Sequence, residues 1–228
     1  MLDGLFPHDV VVEAAGADAP AAALYDVEEE AVARSVEKRR RDFALGRTCA
    51  RAALQRLGVP PVAIPVGAKR APTWPPGVVG AITHCEGLAA AAVAWQDRYA
   101  GIGLDAEVAA PLEEALARLI ATPAERERHA ATAPPEGTDW TKLTFSGKES
   151  VHKAVAPMSG VTLGFHDVEL EFDVERSTFR ALLVGAERPG LPVFDRLEGT
   201  YRIRDGYVIT AVTIRSDRSR DTQHRHTP

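Results

Sequence analysis

The chain has 228 residues, 45% of them hydrophobic, and a formal net charge of −5. That length can bury a core in one large domain or two small ones, and the mildly acidic total argues against a general nucleic-acid binder, although a local basic patch can still hold a polyphosphate. There is no apolar run of transmembrane length and no signal-peptide pattern, and the two cysteines, Cys49 and Cys85, have no metal-binding spacing. The expectation is a soluble cytoplasmic protein with no membrane partner.

Phe6-Pro7 predicts a loop, Val10 to Glu13 a short strand, and Gly16 to Ala23 a further loop. Glu28 to Leu57 predicts helix, in one piece or two. At about 100° per residue, Val32, Val36, Phe43, Ala50, Leu54 and Leu57 share an arc with Arg39 and Arg47. A long arginine can snorkel to the edge of an apolar face. Two on the inward arc point instead to an anionic ligand, whereas Arg40, Arg41, Arg51 and Arg56 are expected in solvent. Gly58 to Gly80 is rich in proline and glycine and predicts turns, with Lys69 in a loop and Trp74 structural. Ala81 to Thr83 predicts a strand end followed by His84. Leu88 to Trp95 predicts a buried strand, hairpinned through Gln96 to Ala100 into a strand carrying Asp105 and Glu107.

Pro111 to Ile120 has helical periodicity. A second helix starts at Thr122, as N-cap, with Pro123 in its first position. The next helix contains Lys148 to Val155. Ser146 stands three residues before Glu149, which fits a capping box; if the helix starts at Trp140, Ser146 is interior and Gly147 costs about 1 kcal/mol. Met158 to Gly164 predicts a loop. Val168 to Phe172 alternates as a half-buried strand, and Phe179 to Gly185, Gly199 to Arg204 and Tyr207 to Ile214 follow as strands. Asp205-Gly206 is a hairpin turn, and Ser216 to Pro228 is expected to be disordered.

Two places carry chemistry. In Gly101-Ile102-Gly103-Leu104-Asp105-Ala106-Glu107, strand alternation puts Asp105 and Glu107 on one face. Neighbouring carboxylates repel unless a positive charge lies between them, and a hard divalent cation such as Mg²⁺ is the simplest answer; Mn²⁺ suits the same oxygen ligands. The ordinary alternative is a solvated strand end. Glu149 and Lys153 are four apart on one helix face, which alone means a surface pair worth about 0.2–0.5 kcal/mol. Glu149 as a third oxygen ligand suggests phosphate chemistry, because Mg²⁺ combines one or two carboxylates with waters and substrate phosphates.

These blocks resemble the signatures of the 4′-phosphopantetheinyl transferases. G-I-G-L-D-A-E followed by F-S-G-K-E-S-V-H-K-A is similar to G-[IV]-D-x-E and W-x-x-K-E-[AS]-x-x-K, and Gly80-Ala81-Ile82-Thr83-His84 to S-[IL]-[ST]-H. Order and spacing match the longer, Sfp-type members, and most closely the bacterial subgroup that includes enterobactin-synthetase component D and serves siderophore, polyketide or fatty-acid assembly. The departures are Leu104 beside the aspartate, Phe145 for tryptophan, Gly147 for alanine and Ala81 for serine.

The resemblance implies an α+β fold of two similar α/β subdomains in a pseudo-twofold arrangement. Each has a small, mainly antiparallel sheet packed on helices. The expected division is 1–108 for the nucleotide end of coenzyme A, 109–215 for the Glu149/Lys153 helix, and 216–228 as a tail. It further implies transfer of the 4′-phosphopantetheine arm of coenzyme A to a serine of an acyl or peptidyl carrier protein. Asp105, Glu107 and Glu149 would hold Mg²⁺. Glu149 would accept the serine proton, and Lys153 would stabilise the attacked phosphate. Arg39, Arg47, Lys69, Thr83 and His84 would hold the nucleotide end, and Leu163 would line the pantetheine tunnel. A monomer acting on no nucleic acid is expected. The rivals are a catalytically silent binder of coenzyme A or carrier protein, and a nucleic-acid-binding module built on the arginine-rich helix.

Overall fold

The structure, a computed structural model, describes residues 2–184 and 197–216. Gly185, the end of one expected strand, and the expected tail beyond Ser216 lie outside the described residues. Two compact units share the chain. One comprises Pro7–Ile102 with Ile214–Pro228, and the other Met1–Phe6 with Gly103–Thr213. The sequence reading placed its division after Val108.

In the first unit, strand β1 (Val11–Gly16) precedes helices α1 (Asp26–Val32) and α2 (Glu37–Leu57). The predicted helical segment is thus in two pieces, and α2 ends at Gly58, in the left-handed region at φ 90°. Strands β2 (Val78–Cys85) and β3 (Leu88–Trp95) complete a three-stranded sheet in the order β1-β3-β2, with both pairings antiparallel. Alanine-rich β3 is its central strand, buried from Leu88 to Ala94. Pairing on both edges overrides the helical preference of alanine. One face of β3, through Ala89, Ala91 and Val93, packs against Leu45, Cys49, Ala50, Ala53 and Leu54 of α2. Trp74 is structural: its indole N–H donates to the carbonyl of Gly80 at 2.9 Å.

β4 (Tyr99–Val108) does not form the expected hairpin with β3. It belongs to a five-stranded sheet ordered β4-β8-β7-β6-β5, where β5 is Val168–Asp173, β6 Thr178–Leu183, β7 Leu197–Arg204 and β8 Tyr207–Arg215. The pairs from β5 to β8 are antiparallel, and Asp205-Gly206 turns β7 into β8 with both residues at positive φ. The fold class is α+β, as expected.

In the second unit, α3 (Glu114–Ile120) and α4 (Pro123–Ala131) precede α5 (Trp140–Ser159). Thr122 caps α4 with Pro123 in its first turn, as the sequence predicts, and the structure adds a reciprocal capping box to Glu125. Of the two readings at Ser146, the interior one with a helix start at Trp140 holds, and no capping box is formed there. α5 starts two turns earlier, where Asp139 accepts the Lys142 N–H at 2.9 Å, and Ser146 is a buried interior residue whose hydroxyl lies 3.0 Å from that of Thr210. Gly147 has a packing reason: a Cβ there would lie 2.5 Å from Leu170 Cδ1. α5 also runs past the expected loop start at Met158, to Ser159. Among the described residues, no helix is long and apolar enough to cross a membrane.

Candidate active site

The second unit gathers a set of charged side chains. Asp105 and Glu107 come from β4, and Lys142, Glu149 and Lys153 from α5. A close approach of backbones sets the geometry: a Cβ on Gly103 would lie 1.8 Å from the carbonyl oxygen of Ser150. Only glycine lets α5 cross β4 this tightly. Lys153 then reaches over the strand and donates to Asp105 Oδ1 at 2.7 Å and to the Leu104 carbonyl at 3.2 Å. Lys142 donates to Glu107 Oε2 at 3.3 Å. Asp105 and Lys142 are buried, while Glu107, Glu149 and Lys153 are half-buried.

The electrostatics follow. Burial, then the Asp105 charge, raises the carboxyl of Glu107 above its ordinary value, with Lys142 opposing. Burial, then Asp105, likewise raises Glu149; Lys153 opposes and Glu107 adds to the rise. The three expected metal ligands therefore feel one another's charge. As the side chains stand, no group of three or more His, Cys, Asp or Glu among the described residues is close enough to share a metal ion. The donor set nevertheless fits a hard divalent cation: it is all oxygen, partly buried and over-supplied with negative charge. Two lysines occupy carboxylates that such an ion would use.

Beside Glu149 lies a cavity of about 250 Å³. Lys148, Glu149 and His152 of α5 form one wall, and Thr162 to Phe165 with Val168 another. Leu163 is on this wall, and its N–H points to His152 Nδ1 at 3.4 Å. Sequence reasoning gave Lys148 no role. It is 3% exposed and donates to Glu125 Oε2 at 2.6 Å, to Phe165 O at 2.7 Å and to Ile120 O at 2.9 Å. Glu125, fully buried, also accepts N–H donors from Leu170 at 2.7 Å and Thr122 at 2.7 Å. Lys148 thereby ties the cavity wall to α4 and β5. The Thr122-to-Glu125 capping box was the one sequence signal that could have pointed to this network.

The expected nucleotide-end residues belong to the first unit. Arg39 Nη1 lies 2.5 Å from His84 Nε2. Arg47 is 5% exposed; its Nε donates to Ile64 O at 2.9 Å and lies 3.9 Å from Glu28 Oε1, and its guanidinium sits 4.1 Å above the ring of Phe43. Burial pulls Arg47 down to about 10, with Glu28 opposing and the Arg51 and Arg39 charges adding to the fall. Arg39 and Arg47 are thus within electrostatic reach of each other. Thr83 is buried in β2. Lys69 is exposed, in a tight 66–72 loop where it and Arg70 both have positive φ, at 53° and 65°.

Arg51 corrects the sequence reading. It is 8% exposed and donates to Glu28 Oε2 at 2.8 Å and to Ala23 O at 3.0 Å. The sequence also missed Glu28, whose buried carboxylate further accepts the Ile64 and Tyr25 N–H groups. Arg40 and Arg56 pair with Glu29 and Glu13. Of the α2 arginines, Arg39, Arg40, Arg47, Arg51 and Arg56 thus all have partners within this unit.

The fold and this cluster of carboxylates and lysines can be set beside known proteins. The profile of the 4′-phosphopantetheinyl transferase N-terminal domain matches residues 27–94, and that of the 4′-phosphopantetheinyl transferase superfamily matches residues 101–212. The 4′-phosphopantetheinyl transferase Svp of Streptomyces mobaraensis is 42% identical over 219 residues, covering 94% of this chain and 89% of the relative. Npt of Nocardia iowensis is 41% identical over 197 residues, covering 82% and 88%. PptT of Mycobacterium tuberculosis is 38% identical over 199 residues, covering 84% and 87%. The chain belongs to the 4′-phosphopantetheinyl transferase superfamily and is an enzyme of that family.

Proposed function

We propose that this protein transfers the 4′-phosphopantetheine arm of coenzyme A to a serine of an acyl or peptidyl carrier protein, in a Mg²⁺-dependent reaction that releases adenosine 3′,5′-bisphosphate. The observation that carries the reading is the cluster of Asp105, Glu107 and Glu149 with Lys153, with Glu149 also lining the cavity.

Asp105, Glu107 and Glu149 would hold the divalent cation, Mg²⁺ or Mn²⁺, which when bound supplies positive charge against the coenzyme pyrophosphate. Glu149 takes the proton of the carrier serine, directly or through a water; burial and the Asp105 charge raise its carboxyl above the ordinary value, the direction that makes a carboxylate a stronger base. The serine oxygen forms a bond to the phosphorus nearest the pantetheine, and the phosphoanhydride bond breaks. Lys153, already 2.7 Å from Asp105, stabilises charge on the phosphoryl oxygens. Leu163 and its neighbours line the cavity that takes the pantetheine arm. Arg39, Arg47, Lys69, Thr83 and His84 hold the nucleotide end. The proposed setting is cytoplasmic, with the protein acting as a monomer.

The test is the intact mass of a purified apo carrier protein incubated with this protein, coenzyme A and Mg²⁺, with an EDTA control. A gain of one phosphopantetheine arm that EDTA abolishes is expected. No gain with several unrelated carriers, despite coenzyme binding, would favour a silent binder instead.

A further inference from the structure

Lys142 has no part in the chemistry described above, yet it is the more deeply buried partner of Glu107. Its side chain is 7% exposed against 26% for the carboxylate. It is fixed at its root, because Asp139 caps α5 through the Lys142 N–H. Its ammonium lies 3.3 Å from Glu107 Oε2. A buried ammonium without a counter-charge is strongly disfavoured, so Lys142 depends on Glu107 as much as Glu107 on Lys142. The same neighbourhood holds Asp105 with its own ammonium, Lys153, at 2.7 Å, and Glu149, whose carboxyl feels the charges of both.

This arrangement makes sense of a cluster whose carboxylates feel one another but do not converge. Each carboxylate of β4 is drawn toward an ammonium of α5. We propose that Lys142 is a built-in competitor of the divalent cation for Glu107. It neutralises that carboxylate when no cation is bound and, by its fixed positive charge, lowers the affinity with which the cation is held. Lys142 acts through Glu107 and is a positioning residue. The inference rests on the reading of Asp105, Glu107 and Glu149 as cation ligands. It adds that the site is tuned for weak, exchangeable binding.

The test uses Mn²⁺ alone as the probe, titrated into the full-length protein and followed by the electron paramagnetic resonance signal of free Mn²⁺. The variants are Lys142→Met, Lys142→Gln and Lys142→Arg. Removing a unit charge next to a divalent site strengthens binding, so Lys142→Met and Lys142→Gln should each bind Mn²⁺ at least about tenfold more tightly than the unaltered protein. Lys142→Arg keeps the charge and should stay within about threefold. Lys142→Gln retains a hydrogen-bond donor to Glu107 and covers the case in which Lys142→Met fails to fold. A lysine serving only to brace α5 against β4 would lower the unfolding midpoint and leave the Mn²⁺ affinity of the folded protein unchanged. Equal or weaker binding by the folded neutral variants overturns the proposal while leaving the cation site intact. An unaltered protein that binds no Mn²⁺ overturns the cation site and the proposal with it, and carrier-protein transfer that persists in EDTA would accompany that result.

Discussion

Gly103 and Ser150 meet so closely that the missing Cβ of the glycine would lie 1.8 Å from the serine carbonyl oxygen. The contact is backbone against backbone, so no side-chain rotation can relieve it. Overpacking a core usually costs about 1–3 kcal/mol and occasionally more. Gly103→Ala is expected to reach or exceed the top of that range in urea denaturation and to abolish transfer, because α5 must lift from β4 and Lys153 then loses Asp105. An alanine variant of unchanged midpoint and activity would contradict this crossing.

Asp105→Ala and Glu149→Ala are expected to remain folded and to lose carrier modification. Each removes a carboxylate from a cluster with surplus negative charge, so neither leaves a large unmet demand in the core. Circular dichroism paired with the intact-mass assay checks both halves. Full activity in either variant removes that residue from the proposed cation site.

The Lys148–Glu125 pair should behave differently. Its side chains are 2% and 0% exposed. Burial pulls the Lys148 ammonium down from its ordinary value while Glu125 holds it up. Breaking a buried pair on one side typically costs about 3–5 kcal/mol, because the remaining charge is stranded. Lys148→Met is expected to lose stability on that scale by chemical denaturation, and the double variant Lys148→Met/Glu125→Met to recover part of it. Additive losses would refute the stranded-charge account.

The raised carboxyl of Glu149 has a pH consequence of definite sign. A carboxyl that binds protons more tightly when folded stabilises the fold at low pH, and this contribution is lost as pH rises through the folded value. In metal-free protein, Glu149→Gln should therefore raise stability at neutral pH. The advantage should shrink as pH falls toward the ordinary value of 4.5. Thermal unfolding of both proteins across that range in EDTA makes the comparison, and an advantage independent of pH would rule out charge as its cause.

Local signals carried much of the fold into the sequence. Thr122 and Pro123 marked one helix start, Asp205-Gly206 a hairpin, and Val168 to Phe172 a half-buried strand, because each depends on neighbours a few residues away. What misled were places where distant contacts decide. Ser146 looks like a cap, but it bonds to Thr210 across 64 residues, and Leu170 fills the space that makes Gly147 tolerable inside α5. β3 and β4 are adjacent in sequence, yet each finds its partners elsewhere. Asp105, Glu107, Glu149 and Lys153 were legible as motifs. Lys142 was not, because 35 residues separate it from Glu107 and neither neighbourhood marks the pair. Arg51 was misread because helical periodicity cannot foresee a buried Glu28 supplied by another helix.

The contact between Arg39 and His84 turns an imidazole into a spectroscopic beacon. A guanidinium only donates, so a hydrogen bond across this 2.5 Å contact has His84 Nε2 as the acceptor, which in a neutral ring goes with the proton on Nδ1. Nitrogen-15 shifts of that ring should carry the signature of the less common neutral tautomer in the unliganded protein. In the nucleotide site proposed above, a phosphate drawing Arg39 away would release Nε2, so binding of coenzyme A there is expected to register at a single side chain, without turnover and without any carrier protein.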